Sequence, residues 1–68
     1  MIQYANPTAV AEAQRRRMLK TVEELARDAG NTDVLALCKE LRQWQQSHYL
    51  GRHPQWHIIR DLYVSLEE

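Results

Sequence analysis

Apolar and polar residues between Pro7 and Ala29 recur with the period of a helix. Ala11, Met18, Val22, Leu25 and Ala29 fall on one line of a helical wheel, and Leu19 and Ala26 flank it. This is the spacing of a helix with one face buried. Asn6-Pro7 stands before the run. Asn can accept the first unpaired N–H groups, and Pro fits the first turn, where no N–H is required. Gly30 follows it and supplies the left-handed residue that commonly ends a helix. The pattern predicts a first helix over about residues 7–29.

The chain then restarts at once. Asn31 or Thr32 can cap a second helix, and Asp33 suits the positive end of its dipole. Val34, Leu37, Cys38, Leu41, Trp44 and His48 form its apolar line, so the second helix is predicted over about 33–49. Gly51 is expected to end it. Pro54 opens a third helix over about 54–66, capped by His53 or by water. Trp56, Ile58, Ile59, Leu62, Tyr63 and Leu66 give that helix a broad apolar arc. Ile, Tyr and Val also favour strands, but strict alternation is absent and a lone strand would have no partner. Leu41 and Leu62 sit centrally on their lines and are expected in the core.

These elements predict an all-α fold. A link as short as 30–32 forces the first two helices into a long antiparallel hairpin, with the shorter third helix packed across it as a three-helix bundle. Size changes the picture next. At 68 residues one marginal domain is expected, because apolar burial and conformational entropy nearly cancel in so short a chain. With the wide apolar arcs, this points to a homodimer. Nine basic and nine acidic residues balance, so no global charge drives the chain toward nucleic acid or membrane. Cys38 is the single cysteine, and a buried, inert thiol is expected of it. One cysteine, no secretory pattern at Met1–Tyr4 and no long apolar run fit a cytoplasmic protein. Its size suggests a bacterial or phage source.

Charge is unevenly spread. Residues 42–60 carry Arg42, Arg52, Arg60 and all three histidines, with Trp44, Tyr49 and Trp56 interleaved and no Asp or Glu. Arginine beside aromatics can grip phosphates and stack bases, or meet an acidic protein surface. The bland reading makes Trp44 and Trp56 core anchors among solvated arginines. Leu35, Arg42 and Tyr49 also share one line on the second helix, an interface-like composition. On the first helix, Arg16, Lys20 and Arg27 lie opposite the apolar line. Lys20–Glu24 and Glu23–Arg27 have the spacing of ordinary helix pairs. Arg15 falls inside the apolar line, either snorkelling to water or meeting a carboxylate across an interface.

Other chemistry is weaker. His53 and His57 have zinc-like spacing, but Pro54 puts His53 outside the helix and no third ligand is in register. His48 is expected at the core edge. Thr21–Gly30 resembles the first helix and turn of a helix-turn-helix DNA reader through the Ala26–Gly30 spacing. The match departs from that pattern at Asn31 and Lys39, where apolar residues belong, and it would aim Val34, Leu35, Leu37 and Cys38 at a DNA groove. No catalytic cluster, cofactor motif or metal site is read from the chain. The function expected is a small protein-binding regulator, adaptor or inhibitor without catalytic activity, using Arg15, Arg16, Leu35, Arg42, Tyr49 and Arg52. The alternatives are a nucleic-acid-binding regulator working through segment 42–60, and a structural subunit of a larger assembly.

Overall fold

The computed structural model describes residues 7–66. Within them the chain is helical, with helices α1 Pro7–Ala29, α2 Thr32–Gln45 and α3 Trp56–Leu66 and a short 3-10 turn, Leu50–Arg52, between the last two. No strand occurs among the described residues. The expected cap Asn6 lies outside them.

The α1–α2 turn is built on two residues. Gly30 has φ +70°, a conformation that costs glycine nothing. Its N–H bonds to the carbonyl of Arg27 at 3.1 Å, and that of Asn31 to the carbonyl of Ala26 at 2.8 Å. These two bonds close a Schellman motif and satisfy carbonyls that the helix end would otherwise leave open. Asn31 then caps α2, its side-chain oxygen accepting the N–H of Val34 at 3.2 Å. One residue therefore finishes α1 and starts α2, and the helices return antiparallel.

The core contains Leu19, Val22, Cys38, Leu41, Leu50, Trp56 and Ile59, with Met18, Val34, Leu37 and Tyr63 packed on it. Leu41 is fully buried, as expected. Leu62 is not: it is 38% exposed, which corrects the sequence expectation. The buried line of α3 is Trp56, Ile59 and Tyr63, and Leu62, Val64 and Leu66 fall off it toward solvent. The line on α1 is also rotated. Leu19, Val22 and Ala26 are buried while Leu25 and Ala29 are exposed, because the core is met at the seam facing both α2 and α3.

Helix α2 stops at Gln45, four residues short of the expected end. The N–H groups of Ser47 and His48 both turn back to the carbonyl of Trp44. The Trp44 indole N–H donates to the carbonyl of Tyr49 at 3.3 Å, folding the chain under its own ring. This delivers Leu50 into the core. Gly51 is part of the 3-10 turn and not a helix end. The Arg15 guanidinium lies on it: a Cβ there would sit 2.7 Å from Arg15 Cζ and would displace that group. Pro54 lies in a turn ahead of α3. The expected cap of a helix opened by Pro54, His53 instead serves this turn: its Nδ1 accepts the N–H of Gln55 at 3.0 Å, and α3 begins only at Trp56.

Helix α3 starts beside Arg15 and Met18 and ends beside Val22 and Ala29. It therefore runs in the same sense as α1, giving an up-down-up bundle.

Candidate functional site

Glu12 organises the end of the bundle where α2 terminates. It is 4% exposed. Both its carboxylate oxygens accept the N–H of Leu50, at 3.0 and 3.1 Å, and Arg15 approaches one of them at 3.6 Å. A carboxylate is costly to bury without such partners. Here it ties α1 to the connector 46–49 and the 3-10 turn.

The connector and α1 enclose a cleft of about 360 Å³. Arg16 lines it from α1, Gln45 from the end of α2, Gln46, Ser47, His48 and Tyr49 from the connector, and Arg52 from the 3-10 turn. Arg52 lies over the Tyr49 ring at 5.5 Å from its centroid, a cation–π arrangement that holds the guanidinium in place. His48 stacks on Trp44 at 4.3 Å. It is exposed, which corrects its expected place at the core edge: α2 ends before reaching it.

Segment 42–60 contains no acid in sequence, but the fold brings acids to it. Arg42 is held by Glu23 of α1 in a bidentate pair, Nε at 2.9 Å and Nη2 at 2.8 Å. Glu23 is also 3.8 Å from Arg27, so the expected helix pair forms and shares its carboxylate. The Arg42 guanidinium holds the Glu23 carboxyl below the usual carboxylate range, against the smaller opposing effect of burial. Arg60 lies 3.7 Å from Asp61, and His53 Nε2 lies 3.9 Å from Glu40. Among the described residues, no ion pair engages Arg16 or Arg52.

The six residues singled out in sequence are thus separated. Arg16, Tyr49 and Arg52 meet in the cleft. Arg15 lies around the corner, against Gly51 and Glu12. Arg42 is committed to Glu23. Leu35 is half-buried. The line Leu35–Arg42–Tyr49 does not exist as a helix face, since α2 ends before Tyr49. Sequence reasoning missed Glu12, Leu50, the pairing of Glu23 with Arg42 and the burial of His53. Glu12 had one legible signal: it precedes Leu19 by two helical turns, on the buried face.

Cys38 is fully buried. Burial pushes its thiol upward, with Glu23 adding to the effect, so little reactive thiolate forms. His57 Nδ1 lies 3.1 Å from the carbonyl of Pro54, and no group of three or more His, Cys, Asp or Glu is placed to hold a metal among the described residues. Nor is any helix there long and apolar enough to cross a membrane. A second concavity, an open apolar groove of about 170 Å³, lies at the other end of the bundle, where Val22, Leu25, Ala26, Val34, Leu62 and Leu66 line it. In comparisons with protein-family models, with curated proteins and with solved structures, no match was found.

Proposed function

We propose that this chain is a small, non-catalytic protein-binding module, a regulator, adaptor or inhibitor, which engages its partner through the cleft at the Glu12 end. The observation that carries the reading is the convergence of Arg16, Tyr49 and Arg52 from separate parts of the chain on one concave surface. Arg and Tyr are the residues that most often anchor protein interfaces. A nucleic-acid reading draws less support. Trp56 is buried in the core, Trp44 is half-buried and stacked on His48, and Arg42 and Arg60, the other arginines of segment 42–60, already have carboxylate neighbours.

Homodimerisation belongs to the same reading. Leu25, Leu62 and Leu66, at 42%, 38% and 51% exposure, surround the apolar groove at the far end. A second copy would bring the same leucines to cover them. A cytoplasmic location rests on the single, buried, unpaired Cys38.

The test is capture of the natural partner by tagged wild-type chain and by Arg16→Glu and Arg52→Glu variants. Both variants are expected to keep their helical circular dichroism and lose the captured protein. Equal capture by all three would refute the cleft as the docking surface.

A further inference from the structure

We propose that the cleft is a carboxylate-binding site, which takes a Glu- or Asp-rich segment of a partner protein between Arg16 and Arg52. This rests on the protein-binding reading above and specifies its ligand chemistry.

The cleft sets two arginines against one buried carboxylate. Glu12 is the one carboxylate among its lining residues, and both its oxygens are spent on the Leu50 N–H, with Arg15 behind it. An incoming anion therefore meets two arginines and the His48 ring, with the charge of the buried Glu12 offset by Arg15 at 3.6 Å. Arg17, Lys20 and Lys39 engage in no ion pair among the described residues and lie outside the cleft, whereas Arg42 and Arg27 are paired with Glu23, and Arg60 with Asp61. Arg16 and Arg52 escape this pairing, and both open onto the same cleft.

Arg52 is also preordered. Its guanidinium carbon lies over the Tyr49 ring at 5.5 Å, a contact that leaves the planar group an N–H edge to offer. That edge matches a carboxylate bidentately. Ser47 and Gln46 on the same wall offer hydroxyl and amide groups of the kind that bind peptide backbone.

The size of the patch selects the ligand. A nucleic-acid strand needs a run of cations that tracks its phosphates. Here the outer face of α1 is interrupted by Glu23, Glu24 and Asp28, and the chain carries no net charge. A local pair of arginines fits one or two carboxylates on a short peptide better than a strand that needs many phosphate contacts.

The experiment is a titration of isotope-labelled protein with a peptide of alternating Glu and Gly, and with the same peptide carrying Gln for Glu. Inorganic phosphate and oligothymidylate are titrated in parallel. The Glu peptide is expected to shift the arginine side-chain resonances of Arg16 and Arg52 and the amides of Ser47–Tyr49, while the Gln peptide leaves them in place. Arg16→Ala and Arg52→Ala should each weaken the Glu peptide about tenfold, and Lys20→Ala should not. Equal shifts from the Gln peptide would overturn the proposal, as would tighter binding of oligothymidylate or phosphate than of the Glu peptide. If no titrant binds, yet partner capture still depends on Arg16 and Arg52, the carboxylate assignment falls and the protein-binding reading stands.

Discussion

Glu12 and Leu50, separated by 38 residues of chain, are joined by a carboxylate that accepts one backbone N–H with both its oxygens. The bond is buried at both ends. Glu12→Ala leaves the Leu50 N–H without a partner in the core and is expected to cost about 1–3 kcal/mol. Glu12→Gln keeps an acceptor and should cost less. Urea unfolding measures both. Equal stability of wild type and Glu12→Ala would show that the N–H finds another partner and that the tie is incidental.

The Glu23–Arg42 pair sets an acid sensitivity. Glu23 titrates below its ordinary range when folded because its charged form is held by Arg42. The stabilisation is therefore complete above the ordinary carboxylate range and is lost as pH falls through the lowered value. The pair is half-exposed on the Arg42 side, so a double-mutant cycle with Ala at both positions should give about 0.2–1 kcal/mol at neutral pH. The coupling should vanish in strong acid. A cycle energy that does not change with pH would contradict the assignment. Arg42→Glu would set two carboxylates against each other, so that substitution reports on stability and not on partner binding.

Gly51 and Arg15 form a second testable couple. Gly51→Ala pushes its new Cβ into the guanidinium of Arg15, the mobile end of a long side chain, which can swing away. The expected loss is under about 1 kcal/mol, through displacement of Arg15 from Glu12. In an Arg15→Ala background the obstacle is gone, and Gly51→Ala should be neutral or slightly stabilising through the unfolded chain. The same loss in both backgrounds would place the strain in the backbone instead.

Leucine truncations separate the two ends of the core. Leu41→Ala and Leu50→Ala remove fully buried side chains and are each expected to cost about 2–5 kcal/mol, enough to unfold much of so small a domain. Leu62→Ala, at the lip of the open groove, should cost under about 1 kcal/mol in the monomer. If the groove is a dimer contact, the same change should shift sedimentation from twice the 8.0 kDa chain mass to the monomer. A chain that is monomeric at every concentration before any mutation would dispose of the dimer.

Much of the architecture was legible in the chain. The period over 7–29, Gly30 and the Asn31 restart suffice for the hairpin, since each signal acts through its near neighbours. Legibility failed where a distant residue decided the outcome. Helix α2 ends early because Trp44 bonds forward to Tyr49 and Glu12 draws Leu50 inward, and neither event is visible in the local pattern. The wheel for α3 showed a broad arc, and only the position of α1 determines that Ile59 is covered and Leu62 is not. In the site, Arg16, Tyr49 and Arg52 could be named from composition. Arg42 could not be told apart from them, because its partner lies on another helix.

The turn at Gly30–Asn31 has no spare residue, since Asn31 closes one helix and opens the next. Inserting a single residue into α2 after the cap would rotate everything beyond it by about 100°. Arg42 would swing away from Glu23, Leu41 would leave the core, and the connector would no longer present Leu50 to Glu12. The spacing between Asn31 and Arg42 thus acts as a ruler. Substitutions along it can be absorbed one at a time, but a change in its length would alter the turn, the ion pair and the cleft together.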